Sequence, residues 1–247
     1  MAATVYIIRH AEAEGNIYRR CHGLYDSLLT PRAYQQLPCL AKRFENVPLA
    51  AVYASPLFRA RTTAQAVAAP HGLTVELRND LHEIDMGDWE DLPWAELPHG
   101  WPDQYAKWCA RPWEAAPPHG ETVMQAGARM LNEVRRLAQE NDGKAIAVVT
   151  HGSAIHGALT IAHGFPPEKM RSAGATTPAW RGSILPTTAV STLYMKTTPL
   201  ICRRSFRPSP ASAGRTPKAS RSRRRSGSAA PTRTIHRMWI RSWNSCA

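Results

Sequence analysis

The stretch Val5-Tyr6-Ile7-Ile8-Arg9-His10-Ala11-Glu12-Ala13-Glu14-Gly15-Asn16 decides how the chain folds. Its four leading apolar residues predict a short strand buried on both faces, and Arg9-His10 follows where the strand gives way to a loop. A cation beside an imidazole at such a place favours a nearby anion, because burying an unpaired charge is costly. Phosphate fits the planar guanidinium fork, and a neutral imidazole nitrogen can attack phosphorus. For the dipeptide alone, a surface Arg-His pair is the alternative interpretation.

The charge of the chain is unevenly distributed. Its 247 residues suffice for one sizeable α/β domain with an appendage, and the net charge of +12 by itself favours a nucleic-acid binder. Residues 171–247, however, carry 15 Lys and Arg and no acid, whereas the first 170 residues hold 16 basic and 19 acidic residues. This break predicts a domain at residues 1–196 and a basic Ser/Arg/Pro-rich tail at 197–247. The tail is predicted to be disordered or out of frame, with a nucleic-acid-binding arm as the alternative.

Cysteines and apolar runs limit the class of protein further. The five cysteines are scattered and lack metal-ligand spacing, which predicts free thiols in a reducing compartment and no zinc site. The residues before the first strand leave no room for a signal peptide, and no apolar run approaches the length of a membrane span. These features predict a cytoplasmic protein without membrane contact.

Periodicity predicts an alternation of strands and helices from residue 4 to residue 164. Strands are expected at residues 50–54, 74–77, 144–153 and 188–195, and helices at 32–45, 123–140 and 154–163. Pro38 should kink or weaken the first of these helices. The alternation favours a three-layer α/β/α sandwich with a mostly parallel central sheet.

Several polar side chains follow the predicted strands directly. Ser55 is a plausible cap for a helix that holds Arg59 in its first turns, where unpaired amides favour an anion. His151 ends a buried strand, and in a parallel sheet that position favours a site residue. In the loop of residues 15–30, three side chains are candidates to line a phosphate pocket, although solvation accounts better for at least two of them. They are Arg19, Arg20 and His22.

Five motifs, in the right order and over about 160 residues, resemble the histidine phosphatase superfamily, the phosphoglycerate mutase-like proteins. They are Arg-His-x5-Asn at residues 9–16, Ser-Pro-Leu-x-Arg-Ala-x-x-Thr-Ala at 55–64, Leu-x-Glu-x-x-x-Gly-x-x-Glu at 81–90, Pro-x-Gly-Glu-Thr at 118–122 and Val-x-His-Gly at 149–152. The chain departs from the family at Ala11 and at Asp91, because glycine is usual at the first position and frequent at the second.

The resemblance implies a metal-independent phosphatase of the histidine acid phosphatase type, acting through a phosphohistidine on a small phosphorylated metabolite without a cofactor. It makes His10 the nucleophile and Glu83 the proton donor, since a carboxyl beside a phosphate dianion keeps its proton more readily. His151 completes the catalytic set. The phosphate-binding residues it implies are Arg9, Asn16, Arg59, His151 and Gly152. The neighbouring acids at positions 85, 88, 90 and 91 are expected to be mostly solvated.

Two alternative functions stay open. A phosphoglycerate mutase would need further cations and a longer Arg-His-Tyr-Gly-like insertion, but between Glu90 and Gly120 the only lysine and arginine are Lys107 and Arg111. A non-catalytic protein would bind nucleic acid through the tail. The five tryptophans of residues 89–113 are interpreted as a lid or wall of the active site, although core packing explains two or three of them equally well. The oligomeric state is open.

Overall fold

A four-stranded parallel sheet lies at the centre of the protein. The computed structural model describes residues 3–170. The strands are β1 (Thr4–Arg9), β2 (Leu49–Ala54), β3 (Val75–Leu77) and β4 (Ala145–Thr150). They lie in the order β1-β4-β2-β3, and each neighbouring pair is parallel. Because Arg9 lies opposite Thr150 in the register of β1 and β4, these two strands end side by side.

Helices cover both faces of the sheet. They are α1 (Glu14–Tyr18), α2 (Pro31–Phe44), α3 (Phe58–Ala68), α4 (Leu97–Gly100), α5 (Pro102–Ala110), α6 (Val123–Glu140) and α7 (Gly152–Ala162). Ile7 and Val148 pack with α6 and α7 on one face, whereas Ile8 and Val149 pack with α2 and α3 on the other. This alternation explains why β1 and β4 are apolar on both sides, and the predicted three-layer fold is confirmed.

Helix α2 passes through Pro38 without interruption. The helix begins after Thr30, whose hydroxyl accepts a hydrogen bond from the Ala33 amide at 3.2 Å. Pro38 and Tyr34, one turn earlier, are both exposed. Pro38 has no N–H group to donate to the Tyr34 carbonyl. That carbonyl therefore lies on the exposed side of the helix, where water can reach it.

The start of α3 differs from the prediction. The helix begins at Phe58, and the Ser55 hydroxyl accepts from the Leu57 amide at 3.3 Å instead of capping the helix. The Phe58 amide donates instead to the Asp26 carboxylate at 2.6 Å. The prediction of Ser55 as the cap was wrong, because an acid from a loop 32 positions earlier in the chain takes the helix amide.

The elements α6, β4 and α7 lie close to the expected positions. Helix α6 has the predicted bounds, since Thr122 and Gln125 form a reciprocal capping box at its start. Strand β4 ends at Thr150 and α7 begins at Gly152, two residues before the predicted helix start, because His151 is the N-cap residue. The short turn places His151 between the strand and the helix.

Some expectations concern other parts of the chain. The strand predicted at 188–195, the domain boundary at 196 and the basic tail of 197–247 lie outside the described residues. Within residues 3–170, no helix combines the length and the apolar character that crossing a membrane requires.

Candidate active site

The ends of β1 and β4 bring two histidines together. The His10 amide donates to the Thr150 carbonyl at 3.0 Å, so pairing with β4 continues one residue past β1. The ring centroids of His10 and His151 are 5.1 Å apart, and the ring planes are tilted by 53°. Both imidazoles therefore face the crevice at the carboxyl ends of the strands, where open α/β sheets bind their ligands.

The tautomer of His10 follows from one hydrogen bond. Its Nδ1 lies 2.6 Å from the Ala11 carbonyl oxygen, which can only accept, so Nδ1 carries the proton and Nε2 the lone pair. Burial, followed by the positive charges of Arg59 and Arg9, holds the pKa of His10 well below 6.5, although the bond to Ala11 opposes this shift. His10 is therefore neutral near pH 7.

His151 is fully buried, and its ring nitrogens are unpaired within the described part of the chain. Burial lowers its pKa well below 6.5, and the charge of Arg59 contributes next. A buried polar group without a partner is rare and costly. A ligand oxygen that accepts an N–H of this ring would remove that cost.

Arg59 is held by the backbone of a neighbouring loop. It lies in the first turn of α3 and is only 2% exposed. Its Nη2 donates to the Gly23 carbonyl at 2.7 Å and its Nη1 to the Tyr25 carbonyl at 2.8 Å. These bonds use two of its five N–H groups, so the fixed guanidinium keeps donors for an anion.

Glu83 lies against the amino end of α7. Its buried carboxylate accepts from the amides of Ser153 at 3.2 Å and Ala154 at 3.1 Å, and from its own neighbour Ile84 at 2.9 Å. An anion at a helix amino terminus is stabilised by the free amides there. In the structure, two amides at the start of α7 therefore bind Glu83.

Arg9 and Gly152 are in close contact. A Cβ atom at position 152 would lie 3.4 Å from Cζ and Nε of Arg9, so the guanidinium lies over the first residue of α7. The Arg9 side chain is exposed, and its charge acts on both site histidines. It also acts on His156 one turn along α7, where burial first and Arg9 second lower the pKa to about 4.

Asn16 lies in α1, outside this buried group. Its side-chain oxygen accepts from the Ala13 amide at 2.9 Å, which closes the first turn of the short helix. The residue is exposed, and its Nδ2 group remains as a donor. The structure thus brings His10, His151, Arg59, Glu83 and Arg9 together and leaves Asn16 at the surface.

This arrangement offers a neutral nucleophile, permanent cations and a buried carboxylate within one crevice, which suits transfer of a phosphoryl group. In the described chain, no group of three or more His, Cys, Asp and Glu side chains is placed to hold a metal ion. Residues 5–182 match the model of the histidine phosphatase superfamily (branch 1). The chain belongs to the histidine phosphatase superfamily. The predicted family is confirmed, and the chain is a phosphatase of this superfamily, in which a phosphohistidine mechanism is typical.

Known proteins resemble most of the described chain. Phosphoserine phosphatase 1 of Hydrogenobacter thermophilus is 28% identical over 145 residues, which cover 59% of this chain and 69% of the relative. The probable phosphoglycerate mutase GpmB of Yersinia pestis is 31% identical over 168 residues, or 68% of this chain and 78% of the relative. The structure of YhfR from Bacillus stearothermophilus aligns with a TM-score of 0.66 at 31% identity, covering 68% of this chain and 84% of that one.

The two departures from the superfamily motifs have different consequences. Ala11 is buried with an ordinary backbone φ, and its amide donates to the Thr63 hydroxyl at 2.9 Å, so the loop does not require glycine. Asp91 has a φ of 56°, in the left-handed region that favours glycine. Its strained backbone is held because Arg20 and His22 bind its carboxylate, at 2.6 and 3.0 Å.

The acids of the Glu83 loop are not mostly solvated, and that expectation was wrong. Asp85 accepts from the Gly87 amide, Asp88 lies 3.1 Å from His119, and Asp91 binds Arg20 and His22. Glu90 accepts four backbone amides. A motif spacing identifies these positions but not their partners, which lie up to 71 residues away.

Two side chains of the loop, Arg20 and His22, are bound by Asp91 and are therefore not free to bind a ligand. Arg20 donates to both the carboxylate and the backbone carbonyl of Asp91, and the His22 ring binds the same carboxylate. Arg19 is exposed and has a φ of 55°. The expectation that solvation explains two of the three was thus wrong for Arg20 and His22, because the partner is distant in sequence.

Tryptophans form a hydrophobic cluster beside the site. Trp89 and Trp108 are buried with edge-to-face rings 5.9 Å apart, and Trp94, Trp101 and Trp113 pack partly buried against them. Core packing therefore explains at least two of the five rings. The lid interpretation stays a prediction for the partly buried ones.

Sequence reasoning missed an ion pair that supports the Glu83 segment. Arg129 pairs with Glu121 at 2.9 Å and donates to the carbonyls of Asp80 at 2.8 Å, His82 at 3.3 Å and Glu83 at 3.3 Å. The only signal was Glu121 within the Pro-x-Gly-Glu-Thr motif. Nothing in the sequence of α6 singles out Arg129.

Proposed function

We propose that the protein hydrolyses phosphomonoesters of small metabolites through a phosphohistidine on His10, as an enzyme of the histidine acid phosphatase type. The observation that carries the proposal is the bond from His10 Nδ1–H to the Ala11 carbonyl. It leaves the lone pair on Nε2, and burial with the nearby charges of Arg59 and Arg9 keeps the pKa low and the ring neutral. Such an imidazole is prepared to attack phosphorus.

Two chemical steps complete one turnover. In the first, His10 Nε2 forms a bond to phosphorus while the ester P–O bond breaks, and protonated Glu83 gives its proton to the leaving oxygen. In the second, ionised Glu83 takes a proton from a water molecule as that water attacks phosphorus. The P–N bond then breaks, and inorganic phosphate leaves a neutral His10 and a protonated Glu83.

Fixed donors stabilise the charge that spreads over the phosphoryl oxygens in both steps. Arg59 and Arg9 supply permanent positive charge, and His151 supplies an N–H from a buried ring. Asn16 is exposed in α1, and its Nδ2 group is a further donor for the phosphoryl group. The Gly152 amide is the remaining donor at the start of α7, where Ser153 and Ala154 already bind Glu83.

Hydrolysis is favoured over the mutase reaction by the charge around the site. The segment from Asp91 to Gly120 contains the acids Asp91, Glu96, Asp103 and Glu114 and, as lysine or arginine, only Lys107 and Arg111. Arg111 lies 3.4 Å from the Glu114 carboxylate, which partly neutralises it. A mutase retains an intermediate with a second anionic group, and a net negative segment would repel it. The similarity to GpmB keeps the mutase reaction as the second candidate.

Trapping of the covalent intermediate tests the proposal. The wild-type protein, incubated with a ³²P-labelled phosphomonoester, is expected to carry label that survives alkali and is lost in acid, as a P–N bond requires. His10→Ala should carry no label and release no phosphate, because the nucleophile is gone. His163→Ala, at the carboxyl end of α7, is the matched control and should behave as wild type. Turnover by His10→Ala would contradict the proposal.

A further inference from the structure

We infer that Glu90 is a positioning residue that fixes the guanidinium of Arg59 through the loop of residues 23–26. The inference rests on the proposed function, in which Arg59 binds the phosphoryl group. Glu90 does not touch the substrate in this account. It determines where the arginine points.

Every acceptor position of the Glu90 carboxylate is used by the backbone. Oε2 accepts from the amides of Gly23 at 3.1 Å and Tyr25 at 3.0 Å. Oε1 accepts from the amides of Leu24 at 2.7 Å and Met86 at 3.0 Å. A carboxylate has about four lone-pair positions, so this one is fully occupied by one loop and the segment after Glu83.

The same loop holds Arg59 by its carbonyls. Gly23 and Tyr25 each donate their amide to Glu90 and accept from Arg59 through their carbonyl oxygen, at 2.7 and 2.8 Å. A single residue therefore links the Glu90 carboxylate to each terminal nitrogen of Arg59: Gly23 to Nη2 and Tyr25 to Nη1. A shift of the loop amides moves the carbonyls that orient the fork.

The far end of the loop is attached to the helix that carries Arg59. The Asp26 carboxylate accepts from the Phe58 amide at 2.6 Å, immediately before Arg59 in α3. The loop is thus fixed at Glu90 on one side and at α3 on the other. Arg59 is 2% exposed, so water cannot reach its N–H groups to replace a lost carbonyl partner unless the side chain moves.

The negative charge of Glu90 also favours the charged form of Arg59. Burial lowers the pKa of Arg59, and the negative charges of Glu83, Asp26 and Glu90 oppose that shift. Glu83 is required for proton transfer and Asp26 for the start of α3. Glu90 binds the amides of Gly23 and Tyr25, whose carbonyls hold Arg59, so it supplies charge and orientation together.

A glutamine at position 90 tests the inference. In Glu90→Gln one oxygen becomes an NH₂ group that faces two backbone N–H donors, so the loop must shift. Misplacement of a binding group by about 1 Å costs on the order of 100-fold in rate. We expect kcat/KM for p-nitrophenyl phosphate and the affinity for orthovanadate each to fall by about that factor. Glu90→Asp, which keeps the carboxylate, should recover at least about tenfold of the loss.

A double-mutant cycle separates positioning from a general structural role. If Glu90 acts through Arg59, Glu90→Gln should lower kcat/KM by less than about threefold in an Arg59→Ala background, because coupled residues are not additive. Glu133→Gln is the matched control, since Glu133 is also a buried acid but binds Arg136 and Arg78. It should keep wild-type kcat/KM whatever its effect on the melting temperature.

The outcomes that overturn the inference are distinct from those that overturn the proposed function. An equal loss from Glu90→Gln in the wild-type and Arg59→Ala backgrounds, or no loss at all, would refute the positioning role. Failure of both Glu90 variants to fold would also refute it, since Glu90 would then be a general requirement of the fold. Wild-type turnover by His10→Ala would instead refute the phosphohistidine function.

Discussion

At the scale of single residues, two neutral imidazoles and one carboxylate lie close together. The structure keeps His10 and His151 neutral by burial and by the charges of neighbouring arginines, which lower the pKa of both rings. It holds Glu83 by backbone amides beside them. In the proposed function, His10 is the neutral nucleophile and Glu83 the fixed acid for transfer of a phosphoryl group to water.

Acidification is expected to destabilise the protein below about pH 6.5. His10, His151 and His156 have lowered pKa values in the folded state, that of His156 about 4. The unfolded chain therefore binds protons that the folded chain does not, and stability present above pH 6.5 is lost as the pH falls. Urea denaturation from pH 7 to pH 5 should show a loss of up to about 1.4 kcal/mol per pH unit for each histidine. His156→Gln should show a shallower slope, and an unchanged slope would contradict the assignment.

Replacing Glu83 by glutamine is expected to slow some substrates much more than others. The amide side chain of Glu83→Gln would keep one oxygen for the α7 amides but has no proton to give, so hydrolysis of alkyl phosphates should fall by about 10²- to 10⁴-fold. p-Nitrophenyl phosphate should lose far less, because its leaving group scarcely needs protonation. Steady-state kinetics with both substrates measures the difference. Equal losses would mean that another acid, Asp85 or Asp88, is the donor.

At the scale of secondary-structure elements, the helices α6 and α7 are in close contact. A Cβ atom at Gly127 in α6 would lie 2.2 Å from the backbone carbon of Gly157 in α7, so the helices touch through their backbones. Helix α7 carries Gly152 at its start and binds Glu83 through its first amides. The distance between α6 and α7 therefore affects the position of the Glu83 carboxylate.

Gly127→Ala is expected to separate these helices. The added methyl group meets backbone, which cannot yield as a side chain does, and such overpacking costs about 1–3 kcal/mol. Chemical denaturation should show that loss, together with a lower kcat from a displaced α7. Gly100→Ala is the matched control, because a Cβ atom there meets nothing within 4 Å. Equal stability of the two variants would contradict the contact.

Local sequence patterns predicted most helices and strands. They did not predict the contacts between segments that are distant in the chain. Periodicity predicted the bounds of α6, and the apolar run of residues 145–150 predicted β4. Ser55 failed as a cap because Asp26 is folded against α3. The acids near Glu83 were expected to be mostly solvated, yet Glu90 binds three amides of a loop that lies at least 65 residues earlier in the chain.

The site, at the scale of the whole molecule, is the edge of the sheet where β1 and β4 end. The parallel register places His10 next to Thr150, and α3 and α7 bring Arg59 and Gly152 to the same edge. The family motifs name His10, Arg59 and Gly152; His10 and Gly152 lie within two residues of a strand end, whereas Arg59 lies in the first turn of α3. They did not predict that two amides at the start of α7 bind Glu83.

The measurement that tests the account most directly is the fate of the phosphoryl group when 3-phosphoglycerate and its 2,3-bisphosphate are supplied with and without EDTA. Both a phosphatase and a mutase would form phosphohistidine, so only the products distinguish them. We expect release of inorganic phosphate to exceed transfer between the two hydroxyls by at least about 100-fold, or roughly 2.7 kcal/mol between competing transition states, and to survive EDTA. Efficient interconversion of 2- and 3-phosphoglycerate with little free phosphate would contradict the account.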